Sequence, residues 1–265
     1  MRFRFCVLIC VLLAATVPCV AAPSCKVGFD FDHAPGPVRD FSRLLKKAET
    51  GDPGAQFQIA LAYESGVEVE RNLNEAAGWY RKAANHGSPA AQNNLGTMYL
   101  RGLGVSQSNS EALKWFTRAA VEGFPAAQNN LGLMYARGEG VPQNDATAVA
   151  WYRKAVAHNY APAQSNLGFM YLQGRGIPAD SQEAAKLFRK AAKAGDAAAQ
   201  YNLGLLYYLG NGVKRDSDLA AKLFRAATAS GSAETHSPFE ACTNVGIQES
   251  LSCPFSKVSL KQVGR

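Results

Sequence analysis

Pro89-Ala90-Ala91-Gln92-Asn93-Asn94-Leu95-Gly96-Thr97-Met98-Tyr99, followed by Arg101-Gly102-Leu103-Gly104-Val105, by Glu111-Ala112-Leu113-Lys114-Trp115-Phe116 and by Arg118-Ala119-Ala120, is one copy of a pattern that returns every 36 residues. Gln56, Gln92, Gln128, Gln164 and Gln200 are each followed seven residues later by a tyrosine, Tyr63, Tyr99, Tyr135, Tyr171 and Tyr207, so five copies stand in register. A fixed period of this size marks one small supersecondary unit stacked on copies of itself, because a single unit cannot bury its apolar face alone.

Each copy reads as two helices joined by a glycine loop. Leu95 and Tyr99 are four apart and share a face of the first helix; Ala112, Trp115, Phe116, Ala119 and Ala120 recur at the spacing of an amphipathic second helix. Gly96, echoed at 132, 168 and 204, carries no side chain where the partner helix must come close. Gly102 and Gly104, with their echoes, can take positive φ and so stop the first helix and turn the chain. Ser110 or a neighbour is expected to cap the second helix, and Gly123 to end it. The aromatic pairs Trp79/Tyr80, Trp115/Phe116 and Trp151/Tyr152, continued as Leu187/Phe188 and Leu223/Phe224, read as core.

Ala-Gln-x-x-Leu-Gly-x-x-Tyr, Gly-x-Gly-Val, Glu-Ala and Trp-Tyr/Phe-x-Lys-Ala-Ala, in register across successive copies over roughly residues 54 to 235, resemble the Sel-one-like repeat, a relative of the tetratricopeptide repeat. The resemblance implies an all-α fold, a right-handed α/α solenoid of five two-helix repeats, and an adaptor or regulator that binds another protein without chemistry of its own. The expected division is a signal peptide over 1–22, a linker over 23–37, a capping helix over 38–53, repeats over 54–89, 90–125, 126–161, 162–197 and 198–235, and a tail over 236–265.

In this family the first helices line the concave side. Comparing copies there singles out Asn93, Thr97, Arg101, Asn129, Leu133 and Arg137 in the middle of the groove and Phe169, Tyr201 and Tyr208 toward its C-terminal end. Such a surface suits an extended peptide whose polar part meets the arginines and whose apolar part meets the aromatics. Related repeats hold a ligand's main chain with asparagines, so Asn94, Asn130, Asn166 and Asn202 form a possible ladder of that kind; hydrogen bonds between neighbouring helices are the alternative. A second column of cations, Arg81/Lys82, Arg118, Arg153/Lys154, Arg189/Lys190 and Arg225, lies near second-helix C-termini, where the helix dipole favours positive charge. An anionic envelope polymer is the other ligand this column would suit.

Nothing in the pattern points to catalysis or to a cofactor. Glycine pairs such as Gly138-Glu139-Gly140 lack the third glycine and preceding strand of a phosphate cradle. His86 and His158 share a repeat position two units apart, too far for one metal ion. No serine is followed three residues on by lysine, and no Gly-x-Ser-x-Gly occurs, so a weak hydrolase of peptidoglycan or β-lactams is the lesser alternative.

At the N-terminus, Arg2 and Arg4 precede an apolar run from Phe5 to Val17 and small residues at Val20-Ala21-Ala22, the signature of a secretory signal. The run is too short to span a bilayer, and no later stretch is apolar for longer, so no integral membrane segment is expected after processing. Export, to a bacterial periplasm or beyond, follows from this reading. Cys242 and Cys253 are then expected to form a disulfide, leaving Cys25 as the odd thiol. The formal charge of +7 includes the two leader arginines. So small an excess does not describe a nucleic-acid-binding protein.

Overall fold

A computed structural model describes residues 41–229; the expected leader, the linker and the tail with Cys242 and Cys253 lie outside them. The described chain is helical, with no strand among these residues. Its helices are α1 (Phe41–Glu49), α2 (Pro53–Ser65), α3 (Leu73–Asn85), α4 (Pro89–Arg101), α5 (Asn109–Val121), α6 (Pro125–Arg137), α7 (Asp145–Ala157), α8 (Ala161–Gln173), α9 (Ser181–Lys193), α10 (Ala197–Leu209) and α11 (Ser217–Ala229). They fall into two compact bodies, α1–α8 within 28–179 and α9–α11 from Asp180 onward.

Local chemistry sets the helix ends. Asp52, Ser88 and Asp196 cap first helices by accepting a backbone N–H three residues on, and proline occupies the first position of α2, α4 and α6, where its missing N–H costs nothing. Gly66, Gly102, Gly138, Gly174 and Gly210 close the first helices in the left-handed conformation. Second helices are capped by Asn72, Ser108, Asn144 and Asp180. Ser108, not Ser110, caps α5: its Oγ accepts from the Glu111 N–H, because the helix begins at Asn109.

In the first body α2/α3, α4/α5 and α6/α7 form helical hairpins, each packed on the next through a second helix and the following first helix. Phe41, Leu44 and Leu45 of α1 close the core around Ile59, Tyr80 and Ala83. The core aromatics Trp79, Tyr80, Trp115, Phe116 and Tyr152 are buried. A Cβ on Gly96 would sit 2.8 Å from the Phe116 ring, and one on Gly132 2.6 Å from Tyr152, so these glycines admit the partner helix. In the second body Gly204 stands in the same relation to Phe224, at 2.9 Å.

Candidate protein-binding face

The first helices present their side chains in two tiers. The inner tier is spent on holding repeats together. Gln56, Gln92 and Gln128 are buried and donate Nε2–H to the carbonyls of Ala48, Ala84 and Ala120 at 3.0, 3.2 and 3.1 Å. Each acceptor is the penultimate residue of the preceding helix, whose last carbonyls have no partner within their own helix. Gln200 does the same to Ala192 in the second body, at 3.3 Å. The sequence reading used these glutamines only as register marks; that a long amide recurs at a buried position was the available signal.

The asparagines form a second buried chain. Asn130 Nδ2 donates to Asn93 Oδ1 at 2.9 Å, and Asn166 Nδ2 to Asn129 Oδ1 at 2.8 Å, linking each first helix to the one before it. Phe57 occupies the position where Asn94 would find the same partner, so Asn94 Nδ2 instead donates to the Tyr80 hydroxyl at 3.1 Å. That hydroxyl donates in turn to the Glu64 carboxylate. Burial pushes the Glu64 carboxyl above its ordinary range, against the opposing pull of the Tyr80 bond and of Arg71 and Arg101; burial, with Glu64 beside it, raises Tyr80 as well. Asn94, Asn130 and Asn166 therefore bond side chains of the scaffold, the alternative to holding a ligand's main chain, and Asn202 lies half-buried on α10.

The expected groove lining is corrected at four positions. Asn93, Thr97 and Asn129 are fully buried and Leu133 nearly so, and the amide oxygens of Asn93 and Asn129 accept from Asn130 and Asn166 on the next first helix. Thr97 Oγ1 returns to the Asn93 carbonyl at 3.1 Å.

The outer tier reaches solvent at the C-terminal ends of the first helices. Arg101 is half-buried, Arg137 exposed, and Phe169 half-buried in the first body. This tier carries both signs of charge: Arg101 acts on Glu64, and Arg137 pairs with Glu139 at 3.7 Å. In the second body Tyr201 stacks at a tilt on Phe224, 5.4 Å between centroids, and Arg215 lies over the Tyr208 ring at 5.8 Å. Leu209 beside them is 49% exposed. Arg101, Arg137 and Phe169 thus belong to one body and Tyr201 and Tyr208 to the other, each with its own local geometry.

Three of the second-helix arginines have a structural task besides complementing the helix dipole. Arg81, Arg153 and Arg189 donate Nη2–H to the hydroxyls of Tyr99, Tyr171 and Tyr207 at 2.9, 3.4 and 3.1 Å, each eighteen residues on. Thr117 stands where Tyr135 would need such an arginine, a pattern readable in the sequence as arginine followed at eighteen by tyrosine. His86 Nδ1 lies 2.8 Å from the Gln56 side-chain oxygen. Among the described residues no group of three or more His, Cys, Asp or Glu is placed to hold a metal ion, and no helix is long and apolar enough to cross a membrane.

Among solved structures, the chain is 35% identical to c5321, a protective antigen of uropathogenic Escherichia coli strains displaying an SLR fold, with a TM-score of 0.66 over 72% of this chain. The chain spans 41% of that antigen's length. It is 32% identical to a Sel1 repeat protein from Oxalobacter formigenes, with a TM-score of 0.68 over 71% of this chain and 75% of that one. Curated proteins contain no match to it. The Sel1 repeat family model matches residues 53–88, 89–123, 125–160, 161–196 and 197–232, in agreement with the all-helical solenoid fold, and the chain belongs to the Sel1 repeat family.

Proposed function

We propose that this chain is an exported protein-interaction scaffold, an adaptor or regulator of the cell envelope, whose partner docks on the outer tier of the first helices. Sel1 repeat proteins are helical-repeat scaffolds that typically mediate protein–protein interaction. One observation carries the reading. The glutamine position that ties a first helix to the helix before it, Gln56, Gln92, Gln128, Gln164 and Gln200, is the same in every copy, while the solvent-reaching position at the end of each first helix changes from Ser65 to Arg101, Arg137, Gln173 and Leu209. A scaffold needs sameness where repeats meet, and a recognition surface needs difference where they face outward. The mixed charges of Glu64, Arg101, Arg137 and Glu139 suit a segment of mixed charge better than a purely acidic one. The scaffold reading includes no catalysis by the chain itself.

The test is photo-crosslinking in intact cells from positions 101, 137 and 173, with mass spectrometry of the products. A shared partner protein captured from these positions, and lost when Arg101 and Arg137 are both replaced by glutamine without a change in melting, is the expected result. Capture only from second-helix positions would overturn the docking face.

A further inference from the structure

Lys82, Arg118 and Lys154 occupy one repeat position on α3, α5 and α7, each three residues after a tryptophan. Each cation is parked on that ring: Lys82 Nζ lies 3.7 Å from the Trp79 centroid, Arg118 Cζ 4.8 Å from Trp115, and Lys154 Nζ 3.8 Å from Trp151. All three are exposed. Ion pairs among the described residues join Lys114 to Glu111, Arg137 to Glu139, Arg175 to Asp145 and Lys186 to Glu183, and none includes these three cations. Glu122, one turn beyond Arg118, is exposed and makes no pair with it.

We infer that this row is a binding surface for a linear anionic polysaccharide, a polymer whose carboxylate or sulfate groups recur along its length. A long side chain laid on an aromatic ring has already lost rotamer freedom, so fixing it against a ligand costs less than fixing a mobile one. Repetition at one cation per repeat matches a ligand that repeats its charge. Arg81 and Arg153, which keep N–H groups beyond those given to Tyr99 and Tyr171, flank the row. Three rival ligands fit less well. The tryptophan faces are covered by the cations, so no platform remains for stacking nucleic-acid bases. Val121, 74% exposed, is the one large apolar side chain exposed on α3, α5 and α7, too little for insertion into a bilayer or for the apolar centre of a protein interface. This surface is separate from the first-helix face, so either reading can fail while the other stands.

The test uses the full chain and a fluorescein-labelled heparin oligosaccharide, read by fluorescence anisotropy. Replacing Lys82, Arg118 and Lys154 together by glutamine should weaken binding about tenfold or more and flatten its dependence on salt, as expected when charge contacts that release counterions are lost. A control triple of equal charge, Lys46→Gln, Lys47→Gln and Lys186→Gln, at exposed positions outside both surfaces, should leave binding within about twofold. The variant Lys82→Arg with Lys154→Arg keeps charge and stem on the ring and should bind as the parent does, which separates ligand contact from damage to the fold. Equal loss in both glutamine triples would reduce the effect to net charge and overturn the site. So would no binding at about 50 mM salt, or tighter binding to phosphatidylglycerol vesicles, a single-stranded oligonucleotide or polyglutamate.

Discussion

Gly132 and Gly78 both lie inside helices, yet the structure assigns them opposite consequences. A Cβ at 132 meets the buried Tyr152 ring at 2.6 Å, whereas one at 78 meets nothing within 4 Å. Gly132→Val is therefore expected to destabilise by at least ~1–3 kcal/mol through overpacking, and Gly78→Ala to stabilise by about 0.5–1 kcal/mol through helix propensity; thermal and urea melts check both. Charge at single residues also gives a signed expectation. Hydrogen bonds from Arg175, at 3.0 and 2.6 Å, hold the Asp145 carboxyl below its usual range. A carboxyl depressed on folding contributes stability above its unfolded pKa of about 3.9 and loses it as pH falls through the lower folded value. Asp145→Asn should thus cost up to about 1 kcal/mol at pH 7, and the gap to the parent should close in acid. Glu64 has the opposite sign. Its carboxyl is raised by burial, so ionising it costs stability as pH rises through its folded pKa, and Glu64→Gln, which can still accept from Tyr80, should melt no lower than the parent at pH 8.

At the scale of elements, the glycine loops do more than end helices. The second glycine of each pair seats against the start of the preceding second helix: a Cβ on Gly104 would run into the Leu73 carbonyl, and one on Gly176 into the Asp145 backbone. Arg175, between Gly174 and Gly176, fixes the same loop by bonding both Asp145 and the Ala136 carbonyl at 2.9 Å. Gly87 takes φ +81° but meets nothing within 4 Å. Gly87→Ala should therefore cost only the left-handed strain, about 1–2 kcal/mol, and Gly176→Ala distinctly more, since it adds a collision with backbone. Urea midpoints of the two variants decide the point; equal shifts would mean that the loop does not seat. In the first repeat, where Glu68 stands in place of the usual second glycine, Glu68 still takes φ +67°, so the loop keeps its shape without the residue best suited to it.

At the scale of the whole molecule, the chain is an array in which stability is built from repeats and their junctions. The junctions are joined by side chains whose partners lie 8 to 39 residues away: Gln92 with the Ala84 carbonyl, Arg81 with Tyr99, Asn130 with Asn93, Arg175 with the Ala136 carbonyl. Outside the described residues, Cys25, Cys242 and Cys253 offer one chemical test of the export reading. A thiol assay on folded chain recovered from the periplasm should find one reactive cysteine; three would remove both the bridge and the support it lends to export.

The sequence by itself determined the repeat, the two helices in each copy, the glycines at the turns and the aromatic core, because each of these is written in spacings shorter than one repeat. Leu95 and Tyr99 share a face by helical geometry alone, and Gly102 can turn the chain wherever it stands. Only the tertiary structure decided that Asn93, Thr97 and Asn129 are buried while Arg137 is exposed, although all lie on the helices expected to line a groove. It alone showed what the recurring glutamine bonds and why Arg81 and Arg153 sit where they do. The physical reason is one of range. Helical periodicity reports how a residue faces within its own unit, but whether that face is covered depends on side chains one repeat away, and no local pattern carries their arrangement.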